Sequence, residues 1–432
     1  MNRTILALLT GTVALPAAAS AQDTIQYWMW DGQQAPVYQQ CAAAFEAANP
    51  EIKIEITQNG WDQYWTALTT AMISGDAPDV FVNHVTRLPE MSANEVIVDL
   101  APLIEEAGYD TSGYMPGLLD NWSRDGATYG LPKDWATVAL GVDTEKLEAA
   151  GLSLADLADL NWNPEDGGTY QQTIAKLTLD GSGKRGDEAG FDGGSVETFG
   201  LVLNPLSLGG ETEWSYLAAS TGWQFIAEPW ATAYNFDDPR VAAALGWLRD
   251  LGREHHFTPT VEQTGKLGAE TLMFSDKGAM TIVGSWLIGL YSQSKPTVAY
   301  VPVPSGPEGR KSMFNGLADS IWSGSDAPEA AWKWVQFLGS DDCQSIVADA
   351  GVVFPAQADQ VEHTVAAYQA HGIDVSAFTA VATPETTFPF PVTDYGNEID
   401  AIISAALDRV MLGAGEPAEV LTEANEQVNS LF

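Results

Sequence analysis

An α/β fold in two lobes is predicted by three observations. The chain has 432 residues, too many for one ordinary core and suited to two. Its N-terminal part alternates β-prone and helix-periodic segments in a βαβ order, which implies a parallel sheet. The stretch 129–143, YGLPKDWATVALGVD, reads as an extended crossing between two αβ-patterned blocks that exchange chain more than once. With hydrophobic residues at 45%, each block can bury a core and disorder is excluded.

Residues 24–30, TIQYWMW, form a strand by composition, ended by Asp31-Gly32. Residues 36–48 form a helix with Val37, Cys41, Ala44, Phe45 and Ala48 on one face, stopped at Asn49-Pro50. Residues 52–56, IKIEI, alternate as a strand and complete the βαβ unit. Ligands of parallel sheets sit beyond the carboxyl ends of strands, which selects Trp30 and Asp31; Trp28 divides between that role and core packing. A helix over 61–73, a Gly-Asp-Ala-Pro turn and a short strand over 79–82 repeat the pattern, with Asn83 and His84 at the strand exit. No second His or Cys lies at metal-ligand spacing from His84, so a hydrogen-bonding or packing role is expected.

In the crossing, Gly130 and Pro132 punctuate the chain before Lys133-Asp134-Trp135. A helix follows over 170–179. The Gly- and charge-rich segment 180–194 is loosely like a calcium loop, but Lys184 stands where an acidic or amide ligand is needed and no Glu closes it, so a solvated hairpin is expected. A helical stretch is expected over 196–210, a strongly periodic helix over 238–254, and a buried strand over 278–283 capped by Gly284-Ser285-Trp286. Further crossings are read at 298–303 and 352–355. Helices over 398–411 and 417–431 end the chain.

Lys and Arg number 19 against 58 Asp and Glu, a net charge of −39, which argues against a nucleic-acid partner. The 15 Trp residues supply flat faces for the core or for stacking on sugar rings and cations. Met1-Asn2-Arg3, the apolar run 5–18 and Ala19-Ser20-Ala21 have the form of a secretory leader cleaved after residue 21. The run is too short for a membrane span, and no Cys follows the cleavage site, so neither membrane insertion nor a lipid anchor is expected. A freely diffusing exported protein needs a second membrane to retain it, which points to a Gram-negative periplasm. Cys41 and Cys343 either pair in such a compartment or stay as two buried thiols.

SGDAPDVF (74–81), VIVDLAPL (96–103), YGLPKDWATVALGVD with its following helix, GSWLIGLY (284–291) and WKWVQFLGSDDCQ (332–344) occur in an order that resembles the family 1 extracellular solute-binding proteins of carbohydrate ABC transporters, the group of the maltose-binding protein. The crossing departs from the family pattern at its turn, here Val142-Asp143, and Asn161-Trp162-Asn163-Pro164 matches a family region only with altered order. The resemblance implies the type II periplasmic-binding-protein fold, each lobe a mainly parallel sheet flanked by helices, with three interlobe crossings. It implies lobe 1 over 22–133 and 300–351, and lobe 2 over 134–299 and 352–432. It also implies a sugar or polyol ligand, membrane permease partners, a monomer, no cofactor and no enzymatic activity. Carried over by position are Glu197 and Phe199 facing the sugar, Trp286 stacking on it, and Asn315-Gly316 at a glycine turn. Trp223 and Tyr395 are further candidates for the cleft wall.

Aromatic faces would cover ring C–H groups, while Asp31, Asn83, Asp134 and Glu197 take hydroxyls. Lys133 would donate to a hydroxyl, pair with Asp134, suit an acidic or phosphorylated ligand, or simply face solvent. Two other classes compete. A secreted glycosidase needs two carboxyls at a defined separation, and no spacing here selects a pair. A receptor for a polyamine-like cation would use acids and Trp as a cage.

Overall fold

The computed structural model describes residues 22–264 and 267–432; the leader expected at 1–21 lies outside them. Two five-stranded sheets organise the chain. The first has the order Ile52–Gln58, Asp23–Met29, Val80–Asn83, Ala318–Ile321, Leu131–Pro132. Its first three strands are parallel, as the βαβ pattern requires. Ala318–Ile321 runs antiparallel to both of its neighbours, Val80–Asn83 and Leu131–Pro132, so it alone is reversed; it arrives from outside the βαβ units, and no crossover helix sets its direction. The second sheet has the order Val298–Val301, Val138–Asp143, Gly278–Gly284, Val196–Leu201, Leu179–Asp180. It is mixed, with one parallel pairing, Val196–Leu201 on Gly278–Gly284, so the mainly parallel expectation does not describe it.

The N-terminal elements form where propensity and punctuation put them. Helix Ala35–Ala48 starts with Pro36 in its first turn, where a missing N–H is harmless, and buries Val37, Tyr38, Cys41 and Phe45. Helix Trp61–Ser74 ends at Gly75 in the left-handed conformation, φ 80°. Helix Pro239–Arg253 is capped by the Asp238 carboxylate, which accepts from the Arg240 N–H. Cys41 and Cys343 form a disulfide with Cα atoms 5.2 Å apart, joining helix Ala35–Ala48 to helix Asp341–Ala350.

Two elements differ from the sequence-based expectation. The stretch 196–210 is not helical: Val196–Leu201 is a strand, and its β-branched and aromatic residues fit a sheet better than a helix. The stretch 298–303 does not cross; it begins as the edge strand of the second sheet. The chain reaches the first sheet only at Ala318–Ile321, after Ser312–Phe314 has paired with Thr387–Pro389.

The segment 129–143 does join the sheets. Leu131–Pro132 belongs to the first, Val138–Asp143 to the second, and Asp134–Trp135 between them pairs with Phe354–Pro355. One core surrounds the first sheet, with Tyr27, Phe45 and Trp334 at its centre. A larger one covers the second sheet and the C-terminal helices. At the junction Trp135 stacks on Phe354, centroids 4.5 Å apart.

Candidate ligand-binding cleft

A cavity of about 520 Å³ opens between the two sheets, inside the range of ~300–1,000 Å³ usual for small-molecule sites. One wall is aromatic. Trp30 continues the strand Asp23–Met29, and its ring meets Trp61, Tyr64 and Trp65 at 5.0, 5.1 and 5.4 Å. Trp61 is 44% exposed at the start of its helix and sets its edge against His84 at 5.6 Å. An indole left this open over a cavity is a stacking platform.

His84 is held by its two neighbours. Asn315 Oδ1 accepts from the Gly316 N–H, so its amide nitrogen faces His84 Nε2 at 3.1 Å, and Thr86 Oγ1 lies 2.9 Å from Nδ1. The Thr86 N–H also points at Nδ1, at 3.3 Å. Burial, reinforced by Arg87, lowers the pKa of His84 to about 4, so the ring is neutral at pH 7. Gly316 is required by close approach, since a Cβ there would strike Leu118 and the Asp134 carbonyl.

Below the aromatic wall Asp31 accepts from the backbone of Gln33 and Gln34, and its Oδ2 from Gln34 Nε2 at 2.9 Å. Asp134 Oδ1 accepts from Leu317 N–H at 3.0 Å. The facing wall brings Ser207, Leu208, Gly209, Glu211, Trp286 and Phe390. Trp286 projects from the short 3-10 turn Ser285–Leu287 at the end of the strand Gly278–Gly284. A Cβ on Gly284 would fall inside the Trp286 ring, so only glycine lets the indole fold back over the strand end. Burial first, then Glu213, raise the pKa of Glu211 to about 8, against the Asn315 side chain. Glu211 is therefore mostly a neutral acid at pH 7, able to donate as well as accept.

Of the residues expected at the site, Trp30, Asp31, His84, Asp134, Trp135, Trp286, Asn315 and Gly316 line this cavity. The others sit elsewhere. Asn83 is fully buried, donating to Ser320 Oγ and accepting from His84 N–H. Lys133 is buried beneath the floor, its ammonium directed at Gln34 and Asp134. Glu197 is exposed on its strand, and Phe199 packs into the junction core; their expected place at a helix start is lost because the element is a strand. Trp223 is buried among Trp214, Phe225 and Phe236, with its N–H donated to Asn235 O. Tyr395 packs on Phe432, 5.5 Å between centroids, outside the cavity lining. Gln34, Trp61, Arg87, Glu211, Phe390 and Asp400 line the cavity beyond the expected set. Trp61 has a local signal, an aromatic opening a helix after Asn59-Gly60; Gln34 and Arg87 each follow an expected residue, Asp31 and His84, by three positions, and Glu211, Phe390 and Asp400 arrive by folding from distant segments.

Two sheet-centred lobes, joined by strands that pass between them and enclosing an aromatic, carboxyl-lined cleft, define the class of two-lobed solute-binding proteins. The chain belongs to the bacterial extracellular solute-binding protein family, whose model matches residues 40–372. An extracellular-binding protein of an ABC transporter from Pyrococcus horikoshii is 20% identical over 439 residues, covering 94% of this chain and 86% of that one. Among solved structures, the ABC substrate-binding protein Lmo0181 of Listeria monocytogenes, in complex with cycloalternan, has a TM-score of 0.81 at 21% identity over 95% of this chain and 99% of that one. Maltose-bound T. maritima MalE3 has a TM-score of 0.73 at 18% identity over 95% of this chain and all of that one. The fold expected from sequence is thereby established. Among the described residues no helix is long and apolar enough to cross a membrane.

Proposed function

We propose that this protein is the periplasmic binding component of an ABC importer for a sugar or polyol, working as a monomer with membrane permease subunits and closing on its ligand by hinge motion. The observation that carries this reading is the cleft itself. Trp30, Trp61, Trp286 and Phe390 offer flat apolar faces, while Asp31, Asp134, Glu211 and the amides of Gln34 and Asn315 offer polar groups to hydroxyls. The names of similar proteins, bound to cycloalternan and to maltose, lend support, and the disulfide suits an oxidising compartment. Arg87 is the one Lys or Arg among the described lining residues, against the carboxyls of Asp31, Asp134, Glu211 and Asp400. That balance speaks against a phosphorylated or acidic ligand and keeps a cationic ligand as the second reading. A thermal-shift panel of mono-, di- and trisaccharides, polyols and polyamines separates the two, since a ligand of the native state raises Tm. A response to polyamines alone would reverse the order. Turnover of a chromogenic glycoside would end the binding-only reading.

Replacing Trp286 by alanine is expected to weaken sugar binding by about 2–4 kcal/mol, as loss of a stacked anchor does, with an unchanged melting temperature in the apo protein. Unchanged affinity by calorimetry removes Trp286 from the site.

Hinge closure draws on contacts between the lobes. Arg124 follows Trp122, which packs with Phe81 and Ala318 of the first sheet, and Asp394 leads into helix Gly396–Met411, which packs in the core of the second, so the two lie on opposite sides. The Arg124 guanidinium pairs with both Asp394 oxygens at 2.8 and 2.9 Å and lies 4.1 Å over the Trp230 ring. Trp230 donates its indole N–H to Ser123 O at 3.2 Å from a left-handed backbone, φ 64°. At another edge Gln293 Nε2 donates to Gln33 Oε1 at 2.9 Å. Arg124→Ala should remove about 1 kcal/mol from the closed state, seen as a larger radius of gyration in apo scattering. An unchanged scattering curve would show that Arg124 does not fasten the lobes.

A further inference from the structure

We infer that Lys133 is a positioning residue: a cation built in beneath the cleft floor that holds the Gln34 amide and the Asp134 carboxylate in place. This rests on the cleft being the ligand site. Lys133 has 1% exposure, and a buried ammonium persists only where partners replace its water. Nζ donates to Gln34 Oε1 at 2.8 Å, lies 3.5 Å from Asp134 Oδ2 and sits 4.0 Å over the Tyr38 ring. Farther out is Asp319, also buried, which accepts from the Tyr27 hydroxyl at 2.7 Å. Burial disfavours the charged lysine, but Tyr38, Asp134 and Asp319 outweigh it and raise its pKa. The charged form is therefore the favoured one.

An ammonium donates hydrogen bonds and never accepts them. Gln34 must therefore turn its oxygen to Lys133, which leaves its NH₂ for Asp31 Oδ2 at 2.9 Å. Asp31 keeps that NH₂ turned toward it with or without the cation, so loss of the ammonium does not flip the amide; it leaves Gln34 Oε1 buried without this donor and lets the side chain shift. Asp134 is fixed from both ends, by Leu317 N–H on one oxygen and Lys133 on the other. Two cleft side chains, Gln34 and Asp134, thus share one partner that does not line the cavity, while Asp31 is held by the Gln33 and Gln34 backbone N–H groups.

The position is anchored where the interlobe strands meet. The Lys133 N–H donates to Leu317 O at 2.9 Å, and its carbonyl accepts from Gln344 Nε2 at 3.1 Å and from Ala356 N–H at 3.2 Å. The lysine is thereby tied to the chain passages beside it, so the orientation of Gln34 and Asp134 is set before any ligand arrives.

The test uses the full mature chain. Lys133→Met, Gln34→Leu and the double variant are titrated with maltose, lactose and cycloalternan by calorimetry beside the unaltered protein. K133M should weaken binding about ten- to a hundredfold, Q34L should do similarly, and the double variant should lose less than the two single losses together, because both remove the same Lys133–Gln34 bond. A purely structural lysine would give losses that add. If K133M alone does not fold, K133M/D319N, which removes the ammonium together with one buried carboxyl, takes its place in the cycle. Crystals of the lysine variant without sugar should show the Gln34 side chain and the Asp134 carboxylate displaced. Additive losses, or both side chains unmoved, would overturn the inference. If none of the three sugars binds the unaltered protein, that counts against the carbohydrate reading, and the crystal comparison still decides the role of Lys133.

Discussion

Replacing both Cys41 and Cys343 by alanine should cost about 2–5 kcal/mol of stability and lower the melting temperature of the mature protein, an effect matched by reducing the unaltered protein. The bond joins residues 302 apart in sequence. In the unfolded chain it closes a loop of that length, and the entropy it removes grows with the logarithm of loop size. In the folded protein both residues are fully buried, and they link a helix of the first βαβ unit to one formed only after the chain has returned from the second lobe. Alanine avoids adding a buried hydroxyl. Equal melting temperatures in oxidised and reduced protein would show that the cross-link carries no stability.

Stability should rise as pH falls from 8 to about 5, by on the order of a few kcal/mol. Three carboxyls have raised pKa values, Glu211 in the cleft wall at about 8 and the buried Glu213 and Asp319 at about 7 each, in every case from desolvation first. A folded-state pKa above the unfolded value means the native protein binds the proton more tightly. The stability tied to each group is complete below its unfolded pKa, near 4.5 or 3.8, and is lost as pH rises through its folded pKa. Each pH unit in that window is worth about 1.4 kcal/mol per group. His84 works the other way. Its depressed pKa gives stability that is present above 6.5 and lost as pH falls toward 4, which takes back part of the gain below 6.5. The net charge of −39 adds self-repulsion that also eases on acidification. Melting curves from pH 5 to 8 test this, and Glu211→Gln and Glu213→Gln should flatten the slope. A melting temperature constant over that range would mean these carboxyls titrate as if exposed.

The N-terminal βαβ unit was legible because period and punctuation agree there: IKIEI alternates, and Asn49-Pro50 stops a helix whose apolar face is continuous. The crossing at 129–143 was legible because a Gly-x-Pro run precedes a β-prone stretch. Residues 196–210 misled, because Val196–Leu201 is short and its environment, a mixed sheet with partners from 278–284 and 179–180, cannot be read locally. The error in that element carried Glu197 and Phe199 into the site, since a residue's facing depends on its period. Trp223 and Tyr395 show a different limit: an aromatic residue looks the same in sequence whether it fills a core or walls a cleft.

From its residues alone this chain is an α/β protein with enough apolar content for two cores, a leader-like start, a surface too acidic for nucleic acid, and polar groups at the exits of its first and third strands. These properties come from composition and from periodicities that span a few residues. Only the tertiary structure decided that Cys41 meets Cys343, that Lys133 is buried below the cleft rather than in it, and that Gln34, Arg87, Glu211, Phe390 and Asp400 share a cavity with Trp30 and Trp286. The reason is physical: those neighbours are brought together by strands that pass between lobes, and whether a charge is solvated or buried is settled by what packs over it, which lies far away along the chain.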